Sequence, residues 1–270
     1  MKKMEQYFAC ALISLVVLWA PAVCVAQSAF DGTWRVNMNE SKFSPKPVDF
    51  YIGDGWYHCT SCTPEVVVKA DGGDHAVTGQ PYDTLSVKEV DAKTIELVAK
   101  KGDKVISDQT RTVSDNGKML TVKSTSHPES GGADVVTEVT ATRVGTAPAG
   151  VPAASGDWKI DKVKQSDNGL TTTFKWSGDE LTMTTPTGES YTAKLDGSDA
   201  SVKGAYGYDT VSLKKLDGRS IEETDKRDGK VVDVVKMTVA PDGKRMTIVE
   251  TSKPSDRTST LIATKESSRG

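Results

Sequence analysis

The sequence has little of what metal, redox and nucleic-acid chemistry requires. Its 270 residues include three histidines and four cysteines, and aromatic side chains make up only 6% of the chain. Charges of both signs alternate, the formal net charge is −3, and there is neither a basic run nor an acidic tail. A chain of this composition is not expected to bind nucleic acid or an anionic membrane surface.

Long apolar runs are absent except at the N-terminus. There, Lys2 and Lys3 precede the apolar segment Phe8–Trp19, and small residues follow as far as Ala26. This order is typical of a secretory signal peptide, and the apolar run is short for a membrane span. We predict a signal peptide over residues 1–26, an exported protein that is periplasmic or secreted, and no transmembrane segment after cleavage.

An internal repeat organises the rest of the chain. The segment YDTLSVKEVDAKTIELVAKKGDKV, from Tyr82, matches YDTVSLKKLDGRSIEETDKRDGKV, from Tyr208, at an offset of 126 without a gap. Repeats of this kind mark a structural unit used twice. We predict repeat 1 over residues 27–144, a Pro/Ala/Gly linker over 145–155 that is extended and semi-rigid, and repeat 2 over 156–266.

Within each repeat the apolar residues recur with a period of two. The segment TIELVAK places Ile95, Leu97 and Ala99 on one face, and pairs such as Asp71-Gly72 and Asp228-Gly229 separate successive runs. This pattern predicts short antiparallel strands joined by tight turns. The fold class is therefore all-β, with two tandem up-and-down barrels, because closure hides the edges of a long meander. The alternative is one continuous sheet or barrel formed by both repeats.

Cys59 and Cys62 are the only cysteines left after signal cleavage. The repeat aligns them with Thr184 and Thr187, in a stretch that reads as a turn between strands, so their Cα atoms should lie within disulfide range. We predict a local Cys59–Cys62 disulfide, since such bonds persist outside the cytoplasm. A redox site and a metal site are the alternatives, although the chain offers no second cysteine pair for zinc.

The start of each repeat resembles a known family. The segment FDGTW, with Gly32 and Trp34, resembles the first strand of lipocalin-like and fatty-acid-binding-protein-like (calycin-type) β-barrels, and Trp158 occupies the same position in repeat 2. The resemblance implies that a basic residue of the last strand packs across each indole. Within each repeat the matching residues are Arg143 for Trp34 and Lys265 for Trp158.

A second resemblance covers the whole mature chain. The segments GTW, SKF (Ser41–Phe43) and TPTGESYTAKLDG (Thr185–Gly197) resemble an uncharacterised family of exported bacterial proteins. This resemblance implies no established activity.

The repeated Tyr-Asp-Thr segment supplies the candidate ligand-contacting residues. Tyr82, Asp83, Tyr208 and Asp209 are candidates for a ligand-binding barrel mouth. The simpler interpretation is a strand entry, in which each Asp caps a turn and each Tyr packs at an edge.

Catalytic and cofactor-binding motifs are missing. There is no Gly-x-Ser-x-Gly elbow, phosphate loop or paired-histidine motif, and no histidine is matched in the other repeat. The aligned pairs are His58 with Met183, His75 with Ala200, and His127 with Lys253. We therefore expect a non-enzyme without cofactor or metal, although catalysis by carboxylates alone stays open.

Function is predicted mainly from the barrel resemblance. Small barrels commonly hold one ligand, so we expect a binding protein for a small apolar or amphipathic ligand. The alternative is a structural or protein-interaction module of the cell envelope whose barrels are filled by their own side chains. A cavity favours the first function, whereas solid barrels with an exposed apolar patch favour the second.

Overall fold

The computed structural model describes residues 28–267, so the predicted signal peptide lies outside the described residues. These residues form twenty β-strands and one short 3-10 helix, Asp167–Gly169, which confirms the predicted all-β class. Among residues 28–267, no helix has the length and apolar character needed to cross a membrane.

The strands follow one another with short connections. The first ten are β1 (Gly32–Val36), β2 (Val48–Gly53), β3 (Trp56–Cys59), β4 (Val66–Lys69), β5 (Asp71–Ala76), β6 (Thr84–Asp91), β7 (Thr94–Lys101), β8 (Lys104–Val113), β9 (Met119–Ser126) and β10 (Val135–Val144). The second ten are β11 (Gly156–Gln165), β12 (Thr171–Ser177), β13 (Glu180–Thr184), β14 (Ser190–Lys194), β15 (Asp196–Ser201), β16 (Thr210–Lys215), β17 (Ser220–Arg227), β18 (Lys230–Val239), β19 (Arg245–Ser252) and β20 (Arg257–Lys265).

These strands form two antiparallel ten-stranded sheets, each nearly closed into a barrel. Barrel I has the order β4-β3-β2-β11-β10-β9-β8-β7-β6-β5, and barrel II has the order β14-β13-β12-β1-β20-β19-β18-β17-β16-β15. In barrel II, reciprocal backbone hydrogen bonds of 3.0 and 2.9 Å between Ser190 and Lys203 join the two ends of the sheet.

The two repeats exchange their first strands. Strand β1, from repeat 1, lies between β12 and β20 in barrel II, whereas β11, from repeat 2, lies between β2 and β10 in barrel I. The predicted contiguous repeats, 27–144 and 156–266, therefore do not coincide with the barrels. Each barrel depends on one strand from the other repeat.

Because of the exchange, each tryptophan packs against the basic residue of the other repeat. Trp34 lies opposite Lys265, whose Nζ is 4.9 Å from the indole centroid. Trp158 lies opposite Arg143, whose Cζ is 4.0 Å from the ring. Both indoles are almost fully buried. The four residues are paired as tryptophan and cation, but the predicted partners were wrong, because each tryptophan sits in the barrel of the other repeat.

Residues 145–155 explain the exchange, and they do not form the predicted extended linker. Val144 is the Cα partner of Asp157, so the segment between them closes a hairpin that keeps β11 beside β10. Strands joined by a short connection tend to pair with each other. The chain instead crosses between barrels at residues 37–47, directly after β1, and at residues 166–170, directly after β11.

Turn residues behave in two ways. Asp54-Gly55 and Asp228-Gly229 have positive φ at both positions and close the β2–β3 and β17–β18 hairpins, as type I′ geometry requires. Asp71-Gly72, predicted to be a hairpin turn, instead lies inside β5, where the pairing register with β6 shifts. The glycine there supports a β-bulge.

Each barrel has its own apolar core. The core of barrel I includes Phe50, Tyr57, Val87, Ile95, Leu120 and Trp158. The core of barrel II includes Phe30, Trp34, Leu181, Leu213, Ile221 and Met246. Apart from Phe30, which precedes β1, these residues lie at inward positions of their strands, which is the period of two that the sequence shows.

The strand exchange is tested by cross-linking. Thr33 on β1 and Thr173 on β12 are Cα partners with hydroxyl oxygens 2.9 Å apart. We expect Thr33→Cys/Thr173→Cys to form a disulfide within one chain, detected by peptide mass mapping, because this spacing suits the bond.

The matched control for the cross-link is Thr182→Cys/Thr192→Cys, a pair with the same 2.9 Å hydroxyl separation on the neighbouring strands β13 and β14. That pair should cross-link whether or not the first strands are exchanged. Formation of the control disulfide without the β1–β12 disulfide would contradict the exchange.

Candidate functional site

Each barrel contains a cavity of about 430 Å³, and the two cavities meet at the interface between the barrels. Residues common to both linings are Ser126, Val135, Thr187, Glu189 and Tyr208. The Tyr208 hydroxyl donates a hydrogen bond to the Glu189 carboxylate. This pair therefore lies at the boundary between the two cavities.

The interface closes each mouth with segments of the other repeat. Ser130 Oγ donates to the Thr187 carbonyl at 2.5 Å, and Asn168 Nδ2 donates to the Ala133 carbonyl at 2.9 Å. Arg227 donates to the Gly79 carbonyl at 2.9 Å. These contacts hold the barrels mouth to mouth.

The barrel I cavity is walled mainly by apolar side chains. Its apolar lining comprises Pro81, Leu85, Leu97, Ala99, Ile106 and Val135. Leu97 and Ala99 alternate along β7 and project inward, as the period of two predicts. Such a surface favours the apolar part of a ligand.

A guanidinium group faces this cavity. Arg111 on β8 is half-buried and lies among the cavity residues. Its Nε donates to Gln109 Oε1 at 2.6 Å, its Nη1 donates to the Tyr57 hydroxyl at 3.1 Å, and its Cζ lies 4.3 Å from the Phe50 ring centroid. Within residues 28–267, Arg111 forms no salt bridge with a carboxylate.

Two tyrosines bring further hydroxyl groups to the barrel I cavity. Tyr206, from the β15–β16 connection of repeat 2, packs against the barrel I core, and its hydroxyl is buried without a hydrogen-bond partner among the described residues. Burial raises the pKa of Tyr82 to about 12, so its hydroxyl stays protonated at neutral pH. Buried hydroxyl groups without partners are costly, and a polar ligand atom would satisfy them.

The barrel II cavity is chemically different. Its walls carry Phe174, Met183, Met237, Met246 and Ile248, but Glu189 and Glu223 also line it, and three further carboxyl groups of barrel II are at least partly buried. Burial raises the pKa of each of them above its ordinary value. This acidic group, as we name it below, comprises Glu189, Glu223, Asp225, Asp233 and Glu250.

Two members of the acidic group lie almost completely inside barrel II. Glu223 is 7% exposed and accepts a hydrogen bond from the Tyr191 hydroxyl, while Asp225 is 5% exposed and leaves Oδ1 without a hydrogen-bond partner in the described chain. Both project inward from β17, two positions apart. Two neighbouring buried carboxyls favour states in which at least one is protonated.

The predicted mouth residues divide into two kinds. Tyr82 lines the barrel I cavity and Tyr208 lines both cavities, which fits ligand contact. Asp83 and Asp209 instead cap turns, since their carboxylates accept the backbone N–H of Gly102 at 2.9 Å and of Asp228 at 2.8 Å. All four residues nevertheless line one further cavity, of about 370 Å³, at the interface between the barrels, so the structure brings the repeated motif of both repeats to one place.

The predicted local disulfide between Cys59 and Cys62 is present, with a Cα–Cα distance of 5.3 Å. It closes the connection after β3, and Cys62 lines the barrel I cavity. The bond fixes one corner of the cavity wall. Among residues 28–267, no three His, Cys, Asp or Glu side chains are grouped so that they could hold a metal ion.

Sequence reasoning missed Arg111, Tyr206 and the acidic group. The sequence contains a signal for the acidic group, because Glu223 and Asp225 align with the inward-facing Leu97 and Ala99. An acid that replaces an apolar residue on a buried face is informative in itself. For Tyr206 there was no such signal, because its environment comes from the other barrel.

Comparisons with known proteins do not identify the chain: no family model and no curated protein sequence matches it.

The acidic group predicts an unusual dependence of stability on pH. Burial raises the pKa of Glu223 and of Asp225, so the folded protein holds protons that the unfolded chain releases. This contribution is present in full below the ordinary carboxyl pKa of about 4 and is lost as pH rises through the raised pKa values. In urea titrations, we expect the free energy of unfolding to fall between about pH 5 and pH 8.

The variant Glu223→Gln/Asp225→Asn should flatten that decline, because its amides do not titrate. Glu222→Gln, on the outer face of the same strand, is the matched control and should keep the slope of the unaltered protein. Parallel pH profiles for all three proteins would contradict the assignment.

Proposed function

We propose that this chain is an exported, non-catalytic binding protein that holds a small amphipathic ligand in the cavity of barrel I. The observation that carries the proposal is the position of Arg111, whose guanidinium has no carboxylate partner within residues 28–267 and lines a cavity with mainly apolar walls. Export is supported by the predicted signal peptide and by a disulfide of a kind that persists outside the cytoplasm.

The cavity supports both halves of such a ligand. A volume of about 430 Å³ lies within the range of small-molecule sites, and the Leu97 and Ile106 walls would remove an apolar body from water. An acidic head group would pair with the Arg111 guanidinium, and charge-assisted hydrogen bonds of this type are strong. The Tyr206 hydroxyl would provide a further donor beside the head group.

The alternative, an envelope interaction module, rests on one surface feature. On the outer face of β2–β4, Tyr51, Trp56 and Val67 are exposed, and Tyr51 stacks on His58 with ring centroids 4.4 Å apart. Such a patch suits contact with another protein. The interaction module requires barrels that are filled by their own side chains. The cavities therefore favour the ligand-binding function.

Native mass spectrometry of the protein purified from its own envelope tests the proposal on the natural ligand. We expect a bound small molecule that is lost on denaturation, together with a polypeptide mass that shows the Cys59–Cys62 disulfide. An unliganded mass in the presence of envelope lipids would count against a ligand and in favour of a protein partner.

A titration with octanoate tests the role of Arg111. In protein labelled at isoleucine methyl groups, we expect octanoate to shift the Ile106 signal, since Ile106 lines the barrel I cavity. Arg111→Met introduces the residue type found at the aligned position Met237 and should weaken octanoate binding by about tenfold or more, as expected for loss of a charge-assisted hydrogen bond.

The control for this titration is Lys123→Met, which removes a positive charge from an exposed position on the adjacent strand β9. It should bind octanoate as the unaltered protein does. Equal affinities for the Arg111 and Lys123 variants, or no shift of Ile106, would overturn the proposal.

A further inference from the structure

The acidic group occupies positions that are uncharged in barrel I. Strands β17, β18 and β19 align with β7, β8 and β9 at the offset of 126 residues. The aligned pairs are Glu223 with Leu97, Asp225 with Ala99, Asp233 with Ser107, and Glu250 with Ser124. At the position of Arg111, the cation of barrel I, barrel II has Met237. One barrel framework therefore carries two interiors of different chemistry, with a guanidinium group in barrel I and a group of carboxyl groups in barrel II.

The geometry of these carboxylates is unfavourable in the protein alone. Asp225 and Asp233 are directly opposed Cα partners on β17 and β18, on the inner face. Like charges at directly opposed positions of a sheet destabilise it, and removal from water adds to that cost. Asp225 is 95% buried, and one of its carboxylate oxygens has no hydrogen-bond partner in the part of the chain that the structure describes. The arrangement lacks a cation.

The described residues do not supply that cation. No member of the acidic group forms a salt bridge within residues 28–267. The positive charge of Arg227 acts to lower the pKa of Asp233, against the larger effect of burial. The Arg227 guanidinium, however, donates its hydrogen bonds to the carbonyls of Gly207 at 3.3 Å and Gly79 at 2.9 Å. Its hydrogen bonds hold the barrels together and leave the carboxylates unpaired.

The space beside the carboxylates has the character of an organic ligand site. Glu223 lines the cavity of about 430 Å³ together with Met183, Met237, Met246 and Phe174. Flexible thioether side chains adapt to varied apolar groups. A metal ion would gain nothing from apolar cavity walls, and the described residues contain no group of three His, Cys, Asp or Glu side chains that could hold one. A ligand with a positive head and a short apolar body would use both the carboxylates and the walls.

We infer that barrel II binds a small organic ammonium ion, whose charged nitrogen pairs with Glu223 in the cavity lining, with Asp225 buried two positions further along β17, while its apolar part lies against the methionines of the cavity. This site adjoins the barrel I site and has the opposite charge preference. The protein then carries two binding sites of complementary chemistry, one in each barrel.

Three probes with the same chain length and different head groups test the inference: hexylammonium, 1-hexanol and hexanoate. The protein is labelled at its methionine methyl groups, because Met183, Met237 and Met246 line the barrel II cavity, whereas Met119 is exposed on barrel I and serves as a reference. We expect hexylammonium to shift the three cavity methyl signals saturably and to bind at least about tenfold more tightly than 1-hexanol, as a buried ion pair implies.

Substitutions then identify the anchoring groups. Glu223→Gln and Asp225→Asn keep the shape of the side chains, and each should reduce hexylammonium affinity while leaving that of 1-hexanol unchanged. Glu222→Gln, on the outer face of β17, removes one negative charge and should change neither affinity.

Three results would overturn the inference. The first is equal binding of hexylammonium and 1-hexanol by the unaltered protein, a comparison that depends on no variant. The second is a saturable response of the same methyl groups to Ca²⁺ that hexylammonium cannot displace, which would assign the acidic group to a metal. The third is a response at Ile106 without any response at the cavity methionines, because it would place the amine in barrel I.

Discussion

The insertion of each first strand into the barrel of the other repeat is the constraint on which the rest of the structure depends. Without β11, barrel I would have unpaired edges at β2 and β10, and β1 fills the same gap in barrel II. Trp158 and Trp34 then bury their indoles beside Arg143 and Lys265. Because unpaired edges and exposed indoles are both unfavourable, neither barrel can close without the other repeat.

The exchange also explains why the two cavities adjoin. Two crossings of the chain, at residues 37–47 and 166–170, tie the barrels together, and the contacts of Ser130 and Arg227 hold their mouths face to face. Tyr206 consequently reaches the core of the opposite barrel, and the Tyr208–Glu189 pair lies between the cavities. A ligand in one cavity would thus lie close to residues that line the other.

Duplication has kept the backbone and changed the interior. Leu97 and Ala99 in barrel I correspond to Glu223 and Asp225 in barrel II, on the same inward face of aligned strands. Burying carboxyl groups is unfavourable for folding, and a fully apolar interior at these positions avoids that cost, as barrel I shows. Physical reasoning therefore favours a binding role for the acids over a purely structural one, since their presence weakens the barrel that contains them.

A large part of the fold and some of the site can be read from residue pattern. The period-two alternation, the Asp228-Gly229 turn and the local disulfide depend on residues close in sequence, so they were predicted, whereas Asp71-Gly72 lies inside β5. Tyr82 and Tyr208 were selected because the repeat marked them, and both reach a cavity. Arg111 was overlooked because alternation gives the face of a strand but not the depth at which a side chain meets a cavity.

The sequence by itself determined the strands, the two equivalent units, the Cys59–Cys62 bond and the identity of the tryptophans and cations that pair. Only the tertiary structure decided which tryptophan meets which cation, because the Gly-x-Trp strands of the two repeats fit either barrel. Local pattern carries no information that distinguishes those alternatives. The choice is made by a connection of eleven residues, 145–155, which holds β11 beside β10, and by the packing of whole barrels that follows from it.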